Sequence, residues 1–270
     1  RVCEKECAHS TVTQDMNALI TFGCSWTVGM GSWYDPDKHA KMSKEEYGEY
    51  QNRGKGKQLK SEYCFRTLLA RKHNYVNINQ SKPASPNSKQ FRRAEEYFNT
   101  DEYKKYDNVI VLWGLTSTAR MEFWSLKDKK YQSHFMTNDL HDLNNMLRKN
   151  HYDHDIEVKR LSTQIQHWDK YFNMIGVKNY WFDTFNHHDY DYKSSNMIMG
   201  DENPRDLMSS LCKSQGLSFK KDSYHFSDWK LDSDRIKFLL KRNLVNPISH
   251  HPNKQAHILL ADIIDKHILW

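Results

Sequence analysis

The chain has 270 residues, a formal charge of +6, 38% hydrophobic residues and 13% aromatics. That length gives one large or two small domains, and the absence of glycine periodicity, heptads and low-complexity runs excludes collagen-like and coiled-coil classes. The apolar fraction is below the usual ~45–50%, but aromatic side chains bury large areas, so a folded globular protein with a very polar surface is expected.

In chain order, residues 18–22 form a short apolar run ending at Gly23, read as a buried strand entering a tight turn. Residues 61–71 carry Tyr63, Phe65, Leu68 and Leu69 at helical spacing. Strand-like runs recur at 75–78, at 109–113 before Gly114, and at 180–185. Between the last two, Leu161, Ile165, Trp168, Phe172 and Ile175 mark a crossover helix over 158–177, and residues 256–269 make a closing amphipathic helix. Short hydrophobic strands alternating with helices predict a parallel, doubly wound α/β sheet covered on both faces. The polar stretches 32–60, 79–107, 118–157 and 186–230 read as loop insertions on one α/β domain spanning 1–270, with 1–17 as an N-terminal extension. Residues 51–60, with Arg53, Lys55, Lys57 and Lys60 and no acid, read as a solvated basic loop. The turn-rich segment 81–87 directly follows the second strand, where ligands bind in open α/β sheets.

The charge is modest and spread along the chain, which does not point to nucleic acid, and no window approaches a membrane span. The first seven residues lack a signal-peptide core, so a soluble, cytoplasmic protein is expected. Five cysteines, at 3, 7, 24, 64 and 212, form no Cys-x-x-Cys pair and read as reduced thiols; Cys3 and Cys7 alone make no metal site.

Two segments carry candidate chemistry. In the first, Gly23-Cys24-Ser25-Trp26-Thr27-Val28-Gly29, a serine follows the first strand at the start of a helix, whose free amides suit an oxyanion. It is neither the Gly-x-Ser-x-Gly elbow, since Thr27 takes the last glycine position, nor a Walker loop. In the second, Ser249-His250-His251-Pro252-Asn253 opens the terminal helix, and a histidine on a rigid backbone suits a general base. Asp222 and His225 form a rival acid and base pair. The histidine-rich segments 151–155 and 186–191 lack His-Glu-x-x-His spacing; the first reads as a solvated loop and the second as a polar rim on the sheet's active edge. Trp26, Trp33, Tyr34, Trp113, Phe123 and Trp124 lie close after strand ends, as core or as ligand walls, with Trp33 and Tyr34 the best ligand candidates because their polar insertion offers little core. Arg120 is placed to pair with an acid across the site or to meet an anionic substrate.

Together the two segments resemble the first and last motif blocks of the SGNH (GDSL-type) hydrolases. Gly23-Cys24-Ser25-Trp26-Thr27-Val28-Gly29 is similar to the family's Gly-Asp-Ser-x-Thr-x-Gly, with Cys24 in place of Asp. His251-Pro252 is similar to Asp-x-x-His-Pro, with Ile248 in the acid's place, and Gly114-Leu115-Thr116-Ser117 to Gly-x-Asn-Asp, with Thr116 for Asn. The Phe-Gly-Cys-Ser-Trp-Thr flavour resembles divergent SGNH proteins encoded by bacteriophages, which would put the protein in the host cytoplasm or in a virion. The resemblance implies a flavodoxin-like three-layer α/β/α fold and hydrolysis of a carboxylic ester, on a small molecule or a glycan, without metal or other cofactor. It implies Ser25 as nucleophile and His251 as base in a dyad or triad, with oxyanion and substrate contacts from Cys24, Thr116, Ser85, Asn87 and Gly114. The three departures feed a second expectation, an inactive SGNH domain serving as a binding or structural module of a phage. A metal-dependent phosphoesterase on a similar sheet is the third.

Overall fold

In the computed structural model, the residues described are 16–52, 54–135, 146, 149–185, 187–199, 206–218 and 229–270. Cys3, Cys7, Arg53, Asn186 and the rival pair Asp222 and His225 lie outside them, and the side chain of Lys55 is likewise outside the description.

Strands β1 (Asn17–Phe22), β2 (Tyr75–Asn79), β3 (Asn108–Leu115) and β6 (Lys178–Asp183) form an all-parallel sheet in the order β2-β1-β3-β6. Alternate residues of each strand feed two cores, as a sheet buried on both sides requires. Ala18, Ile20, Phe22, Val111, Trp113 and Trp181 meet α6 (Asn87–Phe98) and α7 (His154–Ile175). Leu19, Ile110, Leu112 and Phe182 meet α5 (Phe65–Lys72), α8 (Leu207–Ser214) and α10 (Lys254–Asp265). The central ring stack runs Phe22–Trp113–Trp181, with centroids 4.6 and 4.8 Å apart. Trp113 is therefore core, as is Trp26, edge-on to Phe185 at 5.1 Å. This is the three-layer α/β architecture expected from the strand and helix pattern. Among the described residues no helix is long and apolar enough to cross a membrane.

The insertions differ from expectation. Residues 118–157 are not all loop: β4 (Arg120–Ser125) and β5 (Lys130–Phe135) make an antiparallel hairpin. Its turn, held by Ser125 and Asp128 and by Lys129 at φ 49°, has no Asn-Gly signature to announce it. The basic stretch is largely helical, in α3 (Lys44–Asn52) and α4 (Gly54–Tyr63). The helix expected over 61–71 is interrupted at Cys64, whose extended backbone caps α5. The interruption lets Cys64 lie so close to Gly29 that a Cβ there would sit 2.3 Å from the cysteine Cβ.

Trp33 and Tyr34, the expected ligand walls, are buried in a satellite core with Tyr47, against which Tyr50, Leu59 and Ile248 pack. The insertion supplies its own hydrophobic cluster, which composition alone did not reveal. Phe123 and the half-exposed Trp124 sit on the hairpin.

In this strand order the chain leaves β1 toward β2 on one side and reaches β3 on the other. The loops after β1 and β3 therefore diverge, opening a crevice at the carboxyl ends of the strands.

Candidate active site

Ser25 opens α1 (Ser25–Val28), a single helical turn directly after β1, with Cys24 at its N-cap in extended backbone. The first amides of such a turn have no intrahelical acceptor. The Cys24 side chain is fully buried in the core beside Leu69 and Phe182, so an apolar thiol occupies this position and only its backbone borders the turn. The turn is seated by Thr27. A Cβ on Gly23 would lie 2.1 Å from the Thr27 Oγ1 and one on Gly114 2.4 Å from it, so both glycines are demanded by close approach. Gly114 thus acts through packing under the turn. Ser25 is largely buried, its carbonyl accepts from the Gly29 and Met30 amides, and no hydrogen bond engages its hydroxyl among the described residues.

His251 comes from the loop between α9 (Trp229–Lys241) and α10. Asn246, fully buried, builds that loop: its Oδ1 accepts from the Ile248 and Ser249 amides at 2.7 and 3.2 Å. Its backbone pairs with His250 and with the His251 carbonyl, each at 2.8 Å. Asn253 caps α10 by accepting from the Ala256 amide. From the other side, Tyr47 Oη and Ser249 Oγ share a hydrogen bond of 2.8 Å. Ile248, where an acid was expected from the resemblance, packs on the Trp33 cluster instead, as an apolar anchor for the insertion.

The two segments meet at Gly31. Its φ is +86°, and a Cβ there would sit 2.6 Å from the Pro252 carbonyl oxygen and 2.9 Å from the His251 Cβ. The segment that follows the Ser25 turn and the loop carrying His251 are therefore in direct contact at Gly31. Burial pushes the His251 imidazole down to about 4, the positive charges of Arg120 and His250 push the same way, and the Ser249 carbonyl opposes them. Its Nδ1 has no hydrogen-bond partner of good geometry among the described residues. Arg120 also lies over the Phe185 ring at 5.6 Å, which places this cation beside the crevice.

Across the crevice, Asn87 clamps Thr116. Its Nδ2 donates to the Thr116 carbonyl at 2.8 Å and its Oδ1 accepts from the Thr116 amide at 2.9 Å. The Asn87 amide is thus engaged in joining the loops after β2 and β3. The Thr116 hydroxyl is buried and has no partner among the described residues. Ser85 is buried, with its hydroxyl only 3.4 Å from the Pro86 carbonyl.

A second polar cluster lies at this edge, within the segment expected as a polar rim, and its partner on β6 was not foreseen. Asp183, the last residue of β6, holds His188 at 3.1 Å and accepts from Tyr190 Oη at 2.5 Å. His188 is fully buried, and its ring stacks 6.3 Å from His154, whose Nδ1 reaches Thr118 Oγ1 at 3.2 Å. Burial and the nearby His188 lower the His154 pKa. Segment 187–191 is therefore part rim and part core: His187 pairs with the exposed Asp189, while His188 turns inward. The strand-end position of Asp183 was the one available signal. Among the described residues no group of three or more His, Cys, Asp or Glu has metal-binding geometry.

No protein-family model matches the chain, and no curated protein matches it. Among solved structures it is similar to a psychrotrophic esterase from Pseudoalteromonas sp., at 14% identity and TM-score 0.43, over 94% of this chain and 96% of that one. It is also similar to a lipolytic G-D-S-L family protein from Desulfitobacterium hafniense, at 8% identity and TM-score 0.41, over 94% and 100% of the two chains. A third likeness is to a G-D-S-L family member from Veillonella parvula, at 10% identity and TM-score 0.37, over 93% and 97%. Scores of this size give no residue-by-residue correspondence.

Proposed function

We propose that the protein is an SGNH-type serine hydrolase that cleaves a carboxylic ester, as an esterase or O-deacetylase, with Ser25 as nucleophile and His251 as base. The observation that carries this reading is the contact with the His251 loop at Gly31, six residues beyond Ser25, whose hydroxyl is unengaged among the described residues.

A general base must be neutral to take a proton, and an imidazole with pKa near 4 is neutral throughout the neutral range. His251 accepts the Ser25 Oγ proton as the oxygen attacks the ester carbonyl. The amides of the first turn of α1 and the Thr116 hydroxyl then hold the tetrahedral oxyanion. The imidazolium returns its proton to the leaving alkoxide, and water hydrolyses the acyl-serine by the same steps in reverse. Asn87 fixes Thr116, and Ser85 and Gly114 support the loops on either side.

With Ile248 in the apolar cluster, the Ser249 carbonyl is the group that favours the protonated ring, and the catalytic unit is a dyad. Arg120 opposes the imidazolium but favours the oxyanion, so its net effect depends on which charge lies nearer in the transition state. A depressed base pKa and one hydroxyl in place of an amide donor both predict slow turnover.

Hydrolysis of p-nitrophenyl acetate by the purified protein, with Ser25→Ala and His251→Ala alongside, tests the reading. Turnover lost in both variants supports it. The apolar seat of Ile248 favours the second reading, an inactive domain retained as a binding module, which turnover at Ser25 would exclude.

A further inference from the structure

Arg66, in the first turn of α5, is only 4% exposed and takes no part in the chemistry described above. Its guanidinium spans three neighbours. Nε donates to the Thr27 carbonyl at 3.1 Å, Nη2 to the Val28 carbonyl at 3.5 Å, and Nη1 to Asn77 Oδ1 of β2 at 2.9 Å. Asn77 is held in turn, its Nδ2 donating to Thr67 Oγ1 at 2.7 Å. Among the described residues no carboxylate pairs with Arg66, and burial pushes its pKa below the usual guanidinium range. A buried cation without a carboxylate is costly, so its hydrogen bonds must answer a specific need.

That need lies at the C-terminal end of α1. The helix is one turn long and ends at Gly29 in left-handed backbone, so the Thr27 and Val28 carbonyls lie past the last intrahelical donor. Among the described residues no backbone amide reaches either carbonyl, and both residues are buried away from water. An apolar side chain in place of Arg66 would leave two dry acceptors unmet, and a lysine ammonium lacks the planar fork that meets both at once. The residues beside Arg66 grip the same region. Cys64 lies against Gly29, and the Phe65 amide donates at 3.3 Å to His257 of α10, the helix that His251 precedes.

We propose that Arg66 is a positioning residue for ester hydrolysis: by holding the Thr27 and Val28 carbonyls it fixes the α1 turn, and with it the Ser25 hydroxyl and the amides that meet the oxyanion. Its effect on turnover rests on the hydrolase reading above; its hold on the turn does not. Four helical residues span only about 6 Å, so freedom at the Val28 end passes directly to Ser25. Small misplacements of a nucleophile cost much of its rate. Arg66 is too deeply buried to meet substrate, so its loss falls on kcat and not on KM.

The test takes two readouts on the full chain and on Arg66→Lys, which keeps the charge and loses the fork. The first is hydrogen exchange at the Val28, Gly29 and Met30 amides, which close the turn on the Cys24 and Ser25 carbonyls, with the Ile110 and Leu112 amides of β3 as reference. Exchange at the turn is expected to rise at least tenfold while β3 is unchanged. The second is hydrolysis of p-nitrophenyl acetate, where kcat per folded molecule is expected to fall at least tenfold with KM within twofold. Asn77→Ala, which removes the Nη1 acceptor and leaves both carbonyl bonds, is expected to act in the same direction more weakly, and it carries the test if the lysine variant does not fold. The proposal is overturned if exchange at the turn is unchanged, if β3 exchange rises equally, or if kcat per folded molecule holds or KM alone moves. Raised exchange at the turn in a protein whose wild type hydrolyses no ester would refute the hydrolase reading and leave the hold of Arg66 on the turn standing.

Discussion

The depressed pKa of His251 makes a quantitative prediction about acid. An ordinary histidine, with pKa ~6.5, is only about 3% neutral at pH 5. One held at about 4 is roughly 90% neutral there, a difference of about thirtyfold in available base. The value of kcat/KM for a short ester should therefore stay nearly flat from pH 7 to 5 and fall through a limb near 4. Arg120→Gln removes one of the two positive charges felt by the ring and should move that limb upward. Activity profiles from pH 3.5 to 8, paired with an NMR titration of the His251 ring in the Ser25→Ala protein, measure both. A native limb between 6 and 7, or an NMR pKa in that range, would refute the argument from burial.

Other outcomes follow from the same geometry. His257, stacked on Phe65 and fully buried, is pushed to about 3, so the unfolded chain binds the extra proton as pH falls below about 6.5. The stability it supports is complete above that pH and lost on acidification, by about 2 kcal/mol at pH 5, and urea titrations at pH 7 and 5 should show His257→Gln losing correspondingly less. Gly31→Ala forces a Cβ to 2.6 Å from the Pro252 carbonyl at a φ of +86°. It should lower ester turnover at least tenfold by displacing the His251 loop, and lower stability by about 1–3 kcal/mol in chemical denaturation. Gly114→Ala drives into Thr27 and Phe182 under the serine turn, with a similar loss of about 1–3 kcal/mol in thermal unfolding. Asn246→Ala deletes the acceptor for two loop amides, costing about 1–2 kcal/mol, and a looser, wetter loop should raise the His251 pKa measured by NMR.

The sheet was legible because β1, β3 and β6 are buried on both sides and so read as mostly apolar runs between turn residues, while the edge strand β2 is only partly buried. The long crossover helix was equally plain from its apolar stripe, although it runs over His154–Ile175 and stops at the Gly176 cap instead of spanning 158–177. The hairpin escaped because its turn lacks the usual residues and its strands mix Arg120, Glu122 and Gln132 with aromatics. The satellite core escaped because its tryptophan and tyrosines are scattered among lysines and glutamates and converge only in space. At the site, Ser25 and His251 could be singled out from short local patterns. That Asn87 clamps Thr116 and that Ile248 anchors the insertion depend on partners far apart in sequence, while the Asp183–His188 pair, only five residues apart, needed the fold of the loop after β6 to be seen. The glycines at 23, 31 and 114 were visible as letters, but what each makes room for was not.

The central claim is that Ser25 is an activated nucleophile served by His251. Labelling the native protein with a fluorophosphonate and mapping the modified peptide by mass spectrometry tests it most directly. The account predicts a single adduct on Ser25 that is absent in Ser25→Ala and strongly slowed in His251→Ala. An intact fold with Ser25 unlabelled, or labelled equally well without His251, would contradict it.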